Sequence, residues 1–222
     1  MSLALAAVVA LSACPNWGHP ARQLYADQFS GPLEQWVSEY RHGPGAWIGT
    51  RGGKLVMDVD SGATVWFKRP LEGDYVISFT RKVLVAGARN DRLSDFNMFW
   101  MASDPANPSL FTRGGAFAQY DPLRLYYAGI GGNTNTTTRF RRYSGNGERT
   151  LLSEYSDRRH LLEANHDYAV EIAVYQGCTR VTLDGETVFS YRDPEPLKEG
   201  YFGFRTTQSR QEIDNFKIYQ LK

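Results

Sequence analysis

Residues 167–193 read DYAVEIAVYQGCTRVTLDGETVFSYRD. Val170, Ile172 and Val174 lie two apart and make one apolar face, the period of a strand rather than a helix. Asp184-Gly185 sits between two further apolar runs. Such a pair suits the two positive-φ positions of a tight hairpin turn. Gln176-Gly177 supplies the preceding turn, so the segment reads as three consecutive antiparallel strands.

The same signature extends through the chain. Lys54–Asp60 alternates, and a run from Gly62 to Pro70 follows after what reads as a short turn. In 74–85, Tyr75, Ile77 and Phe79 take one face and Val76, Ser78 and Thr80 the other. In 96–103, Phe96, Met98 and Trp100 oppose Asn97, Phe99 and Met101. Residues 200–207 and 211–222 read as the closing strands, and 156–167 as a short helical excursion. Between 104 and 122, Pro105, Pro108, Gly114 and Gly115 argue against regular structure. A loop of that length inside a domain is usually functional or mobile. Many short strands with frequent turns predict an all-β, two-sheet antiparallel sandwich or jelly roll in one domain, residues 24–222.

The chain has 222 residues, enough to bury a core without disulfides. Its formal net charge is +1, which gives no reason to expect nucleic acid or an anionic membrane as partner. Leu3–Cys14 is a short apolar run, too short to span a bilayer, that ends in Leu11-Ser12-Ala13-Cys14. The ending resembles a bacterial lipobox, although no Lys or Arg precedes the run. Residues 1–14 are therefore expected to be a lipoprotein signal with Cys14 lipidated, and 15–23 a tether. Membrane contact would come only through that anchor, in the bacterial envelope, or the chain would be secreted after ordinary cleavage. On the lipoprotein reading Cys178 is a lone thiol.

Four stretches together resemble the concanavalin A-like lectin/glucanase superfamily: DQFSGPLEQWVSE, VWFKRPLEGDYVISF, VTLDGETVFSYRD and GYFGFRTTQSRQEIDNFKIYQL. SDFNMFWMASDP and the segment 139–168 are similar to secreted bacterial members found with plant-polysaccharide, including pectin, degradation. The resemblance covers roughly 24–222 and implies two antiparallel sheets, one concave and carrying sugar. It leaves activity open, because lectins, hydrolases and lyases share this scaffold. The paired-glutamate ExDxE motif of its laminarinase-like hydrolases is absent, and the histidine–tyrosine motifs of its alginate lyases are not matched. The resemblance leaves room for a structural calcium. No zinc spacing, EF-hand loop, phosphate loop, dinucleotide fingerprint or GxSxG is present, so no cofactor is expected.

One stretch stands apart: YYAGIGGNTNTTTRFRRY, residues 126–143. Alternation sends Thr137, Arg139, Arg141 and Tyr143 to one face and Thr138, Phe140 and Arg142 to the other. Two arginines on one face need solvent or a polar groove, because an unpaired buried charge is costly. Either this is a solvated strand with arginines stacked on tyrosines, or it is a groove for an acidic sugar. A guanidinium matches a carboxylate in bidentate fashion. The ring of Tyr126, Tyr127, Tyr143 or Trp100 would stack on a sugar face, and Asn97, Asn133 and Asn135 would bind hydroxyls. Asn97 and Trp100 point opposite ways, so one at most belongs in the groove.

The expected partner is thus a polysaccharide or oligosaccharide, bound by a monomer. On an enzymatic reading, Arg139 and Arg141 would neutralise a uronate carboxylate while His160 or Tyr127 removes the α-proton, a lyase reaction. Arg158 and Arg159 beside His160 would favour the neutral imidazole that a base requires. The carboxylates Asp91, Asp95, Asp121, Glu154 and Asp157 are scattered, and a pair at glycosidase distance would instead suit hydrolysis. A non-catalytic binding protein needs only the rings and amides. His160 can equally be a hydrogen-bonding surface residue.

Overall fold

The computed structural model describes Cys14 and residues 16–222, and the lipobox residues before Cys14 lie outside the described part. Fourteen strands run through the described residues: β1 (Pro20–Asp27), β2 (Trp36–Tyr40), β3 (Trp47–Arg51), β4 (Lys54–Phe67), β5 (Leu71–Glu72), β6 (Tyr75–Leu84), β7 (Phe96–Ser103), β8 (Arg124–Gly131), β9 (Thr137–Ser144), β10 (Arg149–Tyr155), β11 (Tyr168–Tyr175), β12 (Cys178–Leu183), β13 (Glu186–Arg192) and β14 (Glu199–Leu221). Every ladder between them is antiparallel. No helix among the described residues is long and apolar enough to cross a membrane.

Two sheets share the long strands β4 and β14. Sheet I runs β10-β9-β8-β7, then the first part of β14, the second part of β4, and β2. Sheet II runs β13-β12-β11-β6 and then the second part of β14, which also pairs β1 and the start of β4. Between the sheets lies one apolar core: Met98, Trp100, Ala128, Phe140 and Phe204 from sheet I meet Ile77, Phe79, Ile172, Val181 and Phe216 from sheet II. The alternation read in β6 and β11 is what puts these residues inward.

Four readings change. The turn expected near Gly62 does not exist, because β4 is one strand of 14 residues. Likewise, the two closing strands are a single strand, Glu199–Leu221. Both bend from one sheet into the other at a register shift between Thr207 and Ser209, where Gln208 takes φ 42°. A bulge turns a strand without ending it. Residues 20–23, expected as tether, belong to β1, and the helical excursion is only a 3₁₀ turn, Arg158–His160.

Cys14 is bonded to Cys178, with Cα atoms 5.8 Å apart, within the usual range for a disulfide. This corrects the expectation of a lone thiol at Cys178. A sulfur in a disulfide has no valence left for a lipid thioether, so Cys14 cannot be lipidated in this state.

Residues 104–123 cross the outer face of sheet I and bury a second apolar cluster there, including Trp66, Phe99, Tyr120, Leu123 and Tyr143. Arg113 and Asp104 form an ion pair whose side chains are 10% and 5% exposed. Glu39 accepts hydrogen bonds from Trp66 Nε1 (2.7 Å), Tyr120 Oη (2.9 Å) and the Arg113 amide (2.7 Å). Gly115 presses on Gly62 so closely that a Cβ on Gly62 would lie 2.2 Å from the Gly115 carbonyl oxygen. That contact, and not a turn, accounts for the glycine inside β4.

Candidate functional site

The part of the outer face that the 104–123 loop leaves uncovered is a pocket of about 340 Å³. Its floor is set by strand register. Thr64, Arg205, Asn97, Gly129, Arg139 and Glu154 stand in one row across β4, β14, β7, β8, β9 and β10. The next row holds Trp66, Gly203, Phe99, Tyr127, Arg141 and Leu151. Five residues singled out from sequence line the pocket together: Asn97, Tyr127, Asn133, Arg139 and Arg141.

Tyr127 leans along its strand over Gly129. A Cβ on Gly129 would lie 2.1 Å from the Tyr127 hydroxyl and 2.9 Å from Asn97 Oδ1, so both polar atoms converge above this one residue. Asn97 is buried and its Nδ2 faces Asp95 Oδ1 at 3.4 Å, but its Oδ1 has no protein partner. A buried acceptor without a donor calls for one from outside the chain. Burial, then the charges of Tyr143 and Asp95, hold the Tyr127 hydroxyl well above the ordinary tyrosine range, against the lowering effect of Arg205 and Arg141. It therefore stays protonated and is available to donate to a ligand. Arg139 is ion-paired to Glu154. Arg141, half-buried on the pocket wall, has no ion-pair partner among the described residues.

Beneath the floor, Arg81 is fully buried between the sheets. It donates to Gln211 Oε1 (2.7 Å) and to the carbonyls of Asn97 (2.7 Å) and Arg205 (2.9 Å), fixing the strands that carry the pocket's amide. Burial lowers the pKa of this guanidinium, and Asp95 opposes the shift.

Three pocket residues were not named in the sequence reading, Arg92, Phe117 and Thr207, and Asp95 was named only among the scattered carboxylates. Asp95 lies two residues before Asn97, and that parity was the one available signal. Phe117 comes from the irregular loop, and no local pattern points to it.

Other expected residues fall elsewhere. Tyr126 faces the inter-sheet core, donating to Asp193 Oδ2 at 2.5 Å, because it alternates with Tyr127. Trp100 is also in that core, stacked on Phe140 and donating to Thr179 Oγ1 at 2.9 Å. Tyr143 is on the groove's face but buried beneath the loop. Asn135 holds the backbone of Leu162, whose amide donates to its Oδ1 at 2.8 Å and whose carbonyl accepts from its Nδ2 at 3.0 Å.

His160 lines a separate cleft with Tyr155 and His166. Its Nδ1 is 2.7 Å from Asp157 Oδ2, and its ring stacks on Tyr155 at 3.9 Å. Tyr155 and Glu154 are consecutive on β10, so they point to opposite faces. His160 and the Arg139–Glu154 pair are thus on opposite sides of the strand, and the expected base does not meet the expected arginines. The carboxylates read as scattered are all ion-paired: Asp91 to Arg210, Asp95 to Arg92, Asp121 to Arg149, Glu154 to Arg139 and Asp157 to Arg159 and His160. Among the described residues no cluster of His, Cys, Asp and Glu could hold a metal ion.

The pocket's rim includes a helical turn, Gly132–Asn135, of unusual hand. Asn133 (φ 53°, ψ 47°), Thr134 (φ 60°, ψ 53°) and Asn135 (φ 56°) are all left-handed. This costs roughly 1–2 kcal/mol per residue. The Thr134 amide on Ser94 Oγ (3.2 Å) and the Asn135 clasp hold it. A larger cavity, about 760 Å³, opens between the sheet ends beside Tyr25, Met101 and Leu197. The hydroxyl of Tyr126, one of its lining residues, is already bonded to Asp193.

The architecture has many solved counterparts. A Bacillus subtilis protein described as having a galectin-like fold superposes with a TM-score of 0.73 at 16% identity, covering 91% of this chain and 98% of its own. The carbohydrate-binding module CBM66 from Bacillus subtilis gives 0.59 at 12% identity, covering 84% and 96%. A LamA variant from Z. galactanivorans, solved with laminaritriose and laminaritetraose, gives 0.60 at 12% identity, covering 91% and 100%. At these identities the likeness establishes the concanavalin A-like jelly-roll fold alone. A search of curated proteins found no significant match. Residues 57–216 match the family model described as a domain of unknown function, DUF6250, and the chain belongs to that family.

Proposed function

We propose that the outer-face pocket binds an acidic saccharide, without catalysis. The observation that carries this reading is a convergence: an arginine without an ion-pair partner, Arg141, and a buried acceptor without a donor, Asn97 Oδ1, flank one protonated hydroxyl, that of Tyr127. Arg141 offers its fork to a uronate carboxylate. Asn97 Oδ1 accepts from a sugar hydroxyl, Tyr127 donates to a ring or hydroxyl oxygen, and Phe117 supplies an apolar wall. The carbohydrate-binding and oligosaccharide-complexed proteins that share the fold support a sugar as ligand. A pectin-type uronan fits the carboxylate requirement.

Two observations weigh against turnover. Asp95 is the single carboxylate among the pocket's lining residues, where glycosidases need two. A lyase needs a base, and Tyr127 is held protonated while His160 lies in another cleft. The disulfide supports export to an oxidising compartment, the cell envelope or beyond.

The test is a pair of calorimetric titrations on Arg141→Ala, one with an acidic and one with a neutral oligosaccharide. Losing a charged hydrogen bond costs about 1.5–3 kcal/mol, or roughly ten- to hundredfold in affinity for the acidic ligand. Equal losses for both ligands, or release of unsaturated uronates on incubation, overturn the reading.

A further inference from the structure

From the walls of the pocket we infer that it receives the end of a saccharide chain and not a stretch from its middle. This inference rests on the binding reading above and names the part of the glycan that is recognised. A chain bound along its middle must enter on one side of a site and leave on the other.

Along the direction of β8 both exits are closed. On one side stands Phe117, its ring 5.9 Å from that of Tyr127, with the Arg205 guanidinium 4.8 Å from its centroid and that of Arg149 at 5.8 Å. Behind Phe117 the 104–123 loop occupies the surface that an extended groove would need. This loop is built in: its Arg113–Asp104 pair is nearly buried, its backbone abuts Gly62 without room for a Cβ, and its Tyr120 is bonded to buried Glu39. On the other side stand Gly132, Asn133 and Thr137. The left-handed turn that places them is tied to Ser94 and Leu162.

Across the strands one exit is closed as well. Arg92, Asp95 and Thr207 form that wall, with Arg92 ion-paired to Asp95 and donating to the Thr207 carbonyl at 2.5 Å. The remaining side, toward β10, contributes none of the lining residues. The volume, about 340 Å³, lies at the small end of ligand pockets. A three-walled pocket of this size accepts a terminal residue or two and lets the rest of the chain leave over β10.

The experiment needs only the wild-type protein. Polygalacturonate, alginate, glucuronan and rhamnogalacturonan are screened for saturable binding. The polymer that binds is then shortened by partial hydrolysis at constant mass, and its binding capacity is measured at each stage. The expected result is capacity that rises in proportion to chain ends, with oligomer affinity already at its plateau for the trimer. Capacity that stays constant per mass while ends multiply, with affinity still climbing along the oligomer series, overturns end recognition and leaves the binding reading intact. Absence of saturable binding to all four polymers and their oligomers overturns both. Phe117→Ala adds an independent measurement: removing one wall should raise the capacity of the unshortened polymer, and unchanged capacity counts against that wall as the block.

Discussion

Tyr127 and Arg141 stand directly opposite each other across the β8–β9 ladder, and Asn97 and Arg139 flank Gly129 in the neighbouring row. A hydroxyl, an amide and a guanidinium on adjacent strands are thereby set by backbone pairing and not by loop conformation. Rigid placement of this kind lowers the entropy lost when a ligand binds.

Tyr127→Phe isolates the hydroxyl. It donates to no described residue, so stability should stay within about 0.5 kcal/mol of wild type. Binding should weaken roughly two- to tenfold, the loss of one neutral hydrogen bond. Because burial raises the native pKa, the wild-type hydroxyl stays protonated across the neutral range, and tyrosine ionisation should leave affinity flat from about pH 6 to about pH 9. The sign for stability follows from linkage. A raised native pKa contributes stability that is complete below about pH 10 and is lost as pH rises through the native value. The alkaline unfolding of Tyr127→Phe should therefore lie higher than that of wild type. A binding curve with a tyrosine-dependent inflection near neutrality would show that the hydroxyl ionises in use.

Gly129→Ala tests the convergence itself. The new Cβ would lie 2.1 Å from the Tyr127 hydroxyl and 2.9 Å from Asn97 Oδ1, so the tyrosine must swing away. Two neutral hydrogen bonds of about 1 kcal/mol each would be lost, roughly thirtyfold in affinity. The strand itself should tolerate alanine, since glycine inside a strand is the less favourable residue. Wild-type affinity in this variant would place the ligand away from Gly129.

What alternation could show, it showed at residue level. The faces of Asn97 against Trp100 and of Arg139 and Arg141 against Arg142 are those read from period two, because a strand with one buried face cannot slip by a residue without inverting every side chain. What failed needed contacts distant in sequence. Gly62 looks like a turn, yet its role is set by Gly115, which no neighbour announces. Tyr126 and Tyr127 are chemically equal, and only the partner Asp193, far along the chain, marks the first as core. His160 is the local exception: Arg158 and Arg159 precede it, yet the group bonded to its ring is Asp157, three residues back.

Glu39→Ala should release the loop that forms the pocket's wall. The carboxylate serves three donors, Trp66 on β4 and Arg113 and Tyr120 in the loop, and removing it leaves each without an acceptor. An unsatisfied buried donor costs about 1–3 kcal/mol, so a total of about 3 kcal/mol or more is expected even with partial hydration. Urea unfolding gives the loss, and limited proteolysis should newly cut within 104–123. Glu39→Gln, which keeps one acceptor oxygen, should fall between. A stable, uncut Glu39→Ala protein would mean that the apolar cluster alone holds the loop.

The pairing of Cys14 with Cys178 makes the last prediction, because it sets two fates of one sulfur against each other. Non-reducing peptide mapping of the protein should return a single peptide joining the two, and reduction should split it with the gain of two hydrogen atoms. A cross-link between residues 164 apart in sequence restricts the unfolded chain by up to about 5 kcal/mol in the chain-entropy account, so reduction should lower the thermal midpoint. Cys178→Ser is the discriminating variant. It removes the bridge while leaving Cys14 free, and Cys14→Ser removes the bridge and any site for lipid together. If the disulfide is the mature state, the two variants should lose equal stability and fractionate alike. A diacylglyceryl thioether on Cys14 in the wild-type protein, with Cys178 found as a free thiol, would overturn the pairing and restore the lipoprotein reading of Leu11–Cys14.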